Sequence, residues 1–167
     1  MYLKKSSNAM KLGEQHFDLM VFDVDWIELQ KVIKWISLID FKEWPQQSQT
    51  ELKPAMVHGN WHGLQEVTEP LVNSLMQHIT GTPTLRMLSV IMPGNSIEAH
   101  SDPQGPDWLT RLHIPLTTND QSIFYIAGQP NHFEVGKAYH VDTRIEHAIE
   151  NKGTTPRIHL MIDFKAL

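Results

Sequence analysis

His100-Ser101-Asp102 puts an imidazole and a carboxylate on alternate residues. Side chains two apart on a strand point the same way, so both can reach one ion. A third ligand must come from elsewhere in the fold, and His147 is the best candidate. Two neutral imidazoles and one carboxylate on one face of an octahedral ion leave three positions open. That set suits iron(II) binding a co-substrate and dioxygen together. Alone, a His-x-Asp is weak: with ten histidines in 167 residues, chance supplies about half an occurrence. A surface histidine beside a turn aspartate reads the same.

The surroundings add to it. Pro93-Gly94 turns the chain six residues before His100. Gly136, His147 and Asn151 have the spacing by which cupin-type barrels turn a strand and present a third ligand. Asp142 and Arg144 stand where that stretch usually has Pro and Gly. Two arginines point to the same place. In Arg111-Leu112-His113-Ile114-Pro115-Leu116 the apolar residues hold one strand face, and Arg111 and His113 share the other. Arg157 to Phe164 repeats the layout, with Ile158, Leu160, Ile162 and Phe164 against Arg157, His159, Met161 and Asp163. If the apolar face packs on a helix layer, the guanidinium groups look inward and need an anion. A dicarboxylate, held by a two-pronged contact, would supply one. Charges on a solvated edge strand are the alternative.

The positioning elements read as follows. Asp18 to Val24 is a short strand candidate. Asp25 then caps a helix with Glu28 as its reciprocal partner, and Leu29, Val32, Ile33, Ile36 and Ile39 recur at helical spacing. Residues 45–63 are polar and irregular. Thr68 opens a second helix with Pro70 in its first turn, Leu71, Leu75 and Ile79 as its stripe and Gly81 as its stop. Both helices are expected to precede the strands that follow: Leu85–Met92, Ser96–His100, Arg111–Thr117, Ser122–Ala127, Lys137–Val141, His147–Glu150 and Arg157–Phe164. Their Pro- and Gly-bearing breaks recur at intervals typical of an antiparallel barrel or sandwich. The expected fold is mainly β with N-terminal helices (α+β): a jelly-roll with helices packed on one sheet. One domain over 1–167 is expected, with a tail and entry region at 1–17, a helical layer at 18–83 and the β core at 84–167.

Composition narrows the function. The net charge is −5 with histidine neutral, and no Lys/Arg cluster supplies the footprint that nucleic-acid binding needs. There are no cysteines, so disulfide scaffolds and thiolate metal sites are excluded. The apolar runs fall far below the ~18 residues of a membrane span, and the basic start Met1-Tyr2-Leu3-Lys4-Lys5 has no apolar stretch after it. A cytoplasmic protein, with no nucleic-acid or membrane partner, is the default expectation. Trp26, Trp35 and Trp44 are read as core or helix-packing residues, and His16, His78, His132 and His140 as surface or capping residues. Trp61 with His58 and His62, and Trp108, either border a substrate or pack.

Ser89 through Asp163 resembles the aspartyl/asparaginyl β-hydroxylase family, including its bacterial and proline-hydroxylase relatives. The matching blocks are Leu88-Ser89-Val90-Ile91-Met92-Pro93-Gly94, His100-Ser101-Asp102, Arg111 to Leu116, Phe133-Glu134-Val135-Gly136-Lys137-Ala138-Tyr139, His147, and Arg157 to Asp163. The resemblance implies a double-stranded β-helix, and oxidation of an unactivated C–H bond using iron(II), 2-oxoglutarate and dioxygen. It makes His100 and His147 the iron histidines and Asp102 the carboxylate of the bacterial branch. Arg157 would pair with the distal carboxylate of 2-oxoglutarate, and Ser89, Arg111 and His113 match positions that help bind it. The substrate would be an amino acid, a peptidyl Asp/Asn-like side chain or a related metabolite. The segment 103–108 is short beside many bacterial relatives, and no counterpart of the animal enzymes' helical-repeat domain is expected. Rival readings are a cupin that uses the same ligands without 2-oxoglutarate and a non-catalytic metal-binding module. Neither gives a reason for inward arginines.

Overall fold

The computed structural model describes residues 19–40, 55–102 and 110–165. Its elements run β1 (Met20–Asp23), α1 (Trp26–Ser37), β2 (Ala55–His58), a 3-10 turn (Trp61–Gly63), α2 (Leu64–Leu75), β3 (Thr82–Ile91), β4 (Ser96–His100), β5 (Thr110–Thr117), β6 (Ser122–Ile126), β7 (Gln129–Asn131), β8 (Lys137–Val141), β9 (His147–Asn151) and β10 (Arg157–Lys165). The strands form a six-stranded sheet, β1-β8-β5-β10-β3-β2, and a four-stranded sheet, β4-β9-β6-β7. From β3 onward the chain passes back and forth between the two sheets, and β10 returns to lie between β3 and β5. This is the expected double-stranded β-helix with helices on one sheet.

The period-two pattern decides which face does what. Leu112, Ile114 and Leu116 of β5 join Ile158, Leu160, Ile162 and Phe164 of β10 in one buried cluster. That cluster also takes in Leu29, Val32 and Ile36 of α1 and Leu64, Leu71, Val72 and Leu75 of α2. Helices therefore cover the apolar face of the larger sheet. A second cluster, with Ile91, Phe124, Ile126, Phe133, Tyr139 and Ile149, fills the space between the sheets. It shares that space with buried polar groups: Ser89, His113, His147, Arg157, His159 and Asp163.

Several local expectations need correction. β1 falls where a short strand is expected ahead of α1, but β2 interrupts the helical layer between α1 and α2. Both are edge strands that extend the larger sheet, and β2 hides in the stretch read as irregular because Pro54 and Gly59 flank it closely. β7 is only three residues long and contains Pro130, too little for a pattern to register. α2 begins at Leu64, four residues before Thr68. Its start is prepared by Gly63 in the left-handed region (φ 78°) and by Asn60, whose Oδ1 accepts from the Gln65 N–H at 2.9 Å. Thr68 lies inside the helix, buried, and donates back to the Leu64 carbonyl at 2.6 Å. α2 stops at Leu75, well short of Gly81, although Ile79 beyond it is still buried. α1 starts on the expected cap, Asp25 Oδ1 accepting from the Glu28 N–H at 3.1 Å, while the Glu28 carboxylate takes Lys31 Nζ at 2.8 Å.

Among the tryptophans, Trp26 is 56% exposed rather than core, with its ring lying over Gly136. Trp35 packs on the helix-side cluster and donates from Nε1 to the His62 carbonyl at 3.1 Å. Trp61 meets the rings of Trp35 and His62 edge-on. His78 stacks on Phe22 with ring centroids 4.6 Å apart. Trp44, Trp108 and His16 lie outside the described residues. Among the described residues no helix is long and apolar enough to cross a membrane.

Leu160 is fully buried where the larger sheet meets the helices. Leu160→Ala leaves a cavity there and is expected to lower the unfolding free energy by about 2–5 kcal/mol. A denaturant melt checks this, with the far-ultraviolet spectrum before the transition unchanged.

Candidate metal centre

β4 ends at His100 and β9 begins at His147, and the two residues face each other directly across the pairing. The register of that pairing jogs between Ile97 and His100, the kind of irregularity that re-aims side chains at a strand end. Asp102 follows two residues after His100, and its N–H donates to the Thr143 carbonyl at 2.7 Å. That bond ties the first two candidate ligands to the loop leading into the third. One ligand atom from each of His100, Asp102 and His147 lies within 4.8 Å of the others. His100 Nε2 stands 3.7 Å from Asp102 Oδ1, and His147 Nε2 stands 3.7 Å from Oδ2.

The imidazoles are oriented the same way. His100 Nδ1 lies 2.8 Å from the Glu98 carbonyl, and His147 Nδ1 lies 2.9 Å from the Ile145 carbonyl. A carbonyl only accepts, so each Nδ1 carries the hydrogen and donates, and each Nε2 keeps its lone pair toward the centre. Donation of the far N–H to a fixed acceptor is the usual support for a metal-bound histidine. Burial pushes His147 below the ordinary imidazole range, with the His100 ring beside it acting in the same direction. Its neutral form, the one a metal takes, is therefore favoured. His147 is 5% exposed while His100 is 40% exposed, so the cluster opens on the His100 side. Nitrogen and carboxylate donors on one side of a site, with thiolates absent, fit a metal such as iron(II) with open positions.

Behind this cluster, between the sheets, lies a buried polar group. Arg157, at the start of β10, is 1% exposed. Its Nη1 donates to Ser89 Oγ at 3.2 Å and its Nη2 to His159 Nδ1 at 2.7 Å. No carboxylate pairs with it among the described residues, and burial brings its pKa down to about 9. His113 sits beside it with both ring nitrogens buried and unpartnered among the described residues. Burial pushes His113 and His159 well below the usual imidazole range, and the nearby Arg157 charge adds to it. Phe124 stacks on His147 (5.8 Å between centroids), meets His113 edge-on (5.3 Å) and stacks on Phe133 (4.9 Å). Aromatic rings thus link the two histidine groups.

Arg111 behaves differently from Arg157. Its Nε and Nη2 donate to the two carboxylate oxygens of Asp163 at 2.7 and 2.9 Å. The third nitrogen, Nη1, reaches Asp102 Oδ2 at 3.4 Å. The anion this guanidinium needs is therefore in the chain itself. All seven residues singled out from sequence sit in this region: His100, Asp102 and His147 together, Arg111 against Asp102, and Ser89, His113 and Arg157 behind. Two further participants, His159 and Asp163, stood on the correct strand face in the period-two pattern but had no partner assigned. The carbonyls of Glu98, Ile145 and Thr143 leave no trace in side-chain identity.

The family profile described as Aspartyl/Asparaginyl beta-hydroxylase matches residues 56–166. L-proline cis-4-hydroxylase of Rhizobium meliloti (strain 1021) is 30% identical over 100 residues, 58% of this chain but 36% of that protein. The match thus spans about a third of the curated relative's length. Among solved structures, a Pseudomonas putida prolyl-4-hydroxylase superposes with a TM-score of 0.62 at 12% identity, covering 89% of this chain and 92% of its own. The 2OG complex of a viral collagen prolyl hydroxylase from Paramecium Bursaria Chlorella virus-1 superposes with a TM-score of 0.59 at 11% identity, covering 89% and 96%. At such identities these likenesses speak for the fold.

His113 and His159 are held neutral in the folded chain, yet in the unfolded chain they protonate below about pH 6.5. Protons bound only by the unfolded state favour unfolding, so this stability is complete above about pH 6.5 and is lost as pH falls below it. The thermal midpoint is expected to drop between pH 7 and 5, less steeply in His113→Phe, which removes one of the two groups. Melting curves across that range check both.

Proposed function

The chain belongs to the aspartyl/asparaginyl β-hydroxylase family, and from that premise we propose that it is an iron(II)- and 2-oxoglutarate-dependent oxygenase. It hydroxylates an unactivated C–H bond of an amino acid, a peptidyl Asp/Asn-like side chain or a related metabolite. The observation that carries this reading is Arg157: a buried guanidinium with no carboxylate partner among the described residues, in the polar space behind a His–Asp–His cluster. Leaving a charge buried and unpaired is costly, and a dicarboxylate whose other end reaches the cluster removes that cost.

In this reading His100, Asp102 and His147 hold the metal through Nε2, a carboxylate oxygen and Nε2. Iron(II), with 2-oxoglutarate and dioxygen bound, supplies the oxidation, with succinate and carbon dioxide as co-products. Arg157 takes the distal carboxylate by a two-pronged contact. Ser89 Oγ already accepts from Nη1, so its own hydrogen is free to point at the same carboxylate. His159 accepts at Nδ1 from Nη2, fixing the plane of the guanidinium. His113 offers the co-substrate a ring N–H that has no partner among the described residues. Arg111 lies at the metal end, beside Asp102, with its charge balanced by Asp163. Phe124 and Phe133 exclude water from the space between. The proline hydroxylase relative supports a substrate of the amino-acid class.

Anaerobic protein loaded with iron(II) is expected to develop a weak visible charge-transfer band when 2-oxoglutarate is added, because a three-ligand site leaves adjacent positions for a chelate. A spectrum unchanged by 2-oxoglutarate, with iron bound, would overturn the proposal in favour of a cupin without that co-substrate. Arg157→Gln keeps bulk but removes the charge. Breaking a buried pair of this kind costs about 3–5 kcal/mol, so the Michaelis constant for 2-oxoglutarate should rise about 100-fold or more. Iron affinity should change little, since Arg157 bonds to Ser89 and His159 and to none of the three candidate ligands.

A further inference from the structure

Asp163 is 2% exposed, on the inward face of β10, and directly opposite Arg111 in the pairing of β10 with β5. Sheet register therefore delivers the carboxylate to the guanidinium. The contact uses both oxygens, at 2.7 and 2.9 Å, and two of the three guanidinium nitrogens. The third nitrogen, Nη1, stands 3.4 Å from Asp102 Oδ2, a long contact for a charge-assisted pair. The same Oδ2 faces His147 Nε2 at 3.7 Å. Arg111 is thus strung between two carboxylates, tightly bound to one and loosely to the other.

That asymmetry has a consequence for the metal ligand. A guanidinium free to rotate closes on a neighbouring carboxylate as a two-pronged pair. Formed with Asp102, such a pair would occupy the lone pairs that a cation needs. We propose that Asp163 is a positioning residue of the metal centre: it withholds Arg111 from Asp102, so that the guanidinium steadies that carboxylate without capturing it from the metal. The inference rests on the reading of His100, Asp102 and His147 as the metal site, and it assigns a task to a residue that touches neither metal nor substrate. Thr84 Oγ1 donates to the Asp163 carbonyl at 3.2 Å, which anchors the strand at this point without engaging the carboxylate.

Binding of Mn(II) alone, followed by its electron-spin-resonance signal in the absence of any co-substrate, tests this with four proteins: wild type, Asp163→Asn, Arg111→Gln and the double variant. Loss of groups that orient a ligand typically costs about 10–100-fold in metal affinity, and Asp163→Asn is expected to weaken Mn(II) by at least about tenfold. Because Asp163 acts through Arg111, the double variant is expected to bind within about threefold of Arg111→Gln. Asp163→Asn binding like wild type would overturn the proposal, and so would a double variant about tenfold or more weaker than Arg111→Gln, the result for a merely structural carboxylate. Should Asp163→Asn fail to fold, the comparison of the double variant with Arg111→Gln decides alone, since both charges are removed together. Wild type that binds no Mn(II) would overturn the metal-site reading itself, an outcome separate from equal binding by wild type and Asp163→Asn.

Discussion

Charge buried between two sheets is the constraint on which the rest of this structure turns. A guanidinium taken out of water needs an anion and a full set of acceptors, or its burial is prohibitively unfavourable. The inner face of the larger sheet meets that requirement in two ways. Arg111 is neutralised by Asp163 on the adjacent strand, a partner delivered by register. Arg157 is held only by the neutral groups Ser89 and His159 and keeps its charge unbalanced among the described residues. The first arrangement is self-contained. The second is complete only when something anionic enters, which is why it carries the functional reading.

The helices make that interior possible. A sheet with polar groups on one face must gain its stability from the other, and the residues of β5 and β10 that face α1 and α2 are uniformly aliphatic or aromatic. Apolar burial on the helix side offsets the polar burial inside. The space between the sheets is then kept dry by Phe124, Phe133, Tyr139 and Ile149, and low polarity around a charged site strengthens every interaction within it. The same burial keeps His113, His147 and His159 biased toward neutrality.

The candidate metal cluster depends on backbone as much as on side chains. Its two histidines are oriented by carbonyls two residues upstream, and Asp102 is tied through its own N–H to the Thr143 carbonyl. Strand ends rather than loops carry the imidazoles, so the pairing of β4 with β9 sets their separation. Little freedom remains for the donor set, as a metal with several exchangeable positions requires.

Alternation in Arg111–Leu116 and Arg157–Phe164 determined which faces of β5 and β10 are apolar, and so the helix-on-sheet architecture and the inward arginines. Alternate spacing put His100 and Asp102 on one side of the chain. Short-range rules failed where partners are distant or elements small: α2 starts on a cap supplied from Asn60, β2 and β7 are edge strands too brief to show a period, and Trp26 proved exposed. Above all, the sequence determined that Arg111 and Arg157 each need an anion, but not which. That choice lies in strand register, which sets Asp163 opposite Arg111 and leaves no carboxylate opposite Arg157. Register is fixed by the packing of whole sheets, since a slip of one residue would turn every side chain to the wrong face, and no local pattern of residues encodes it.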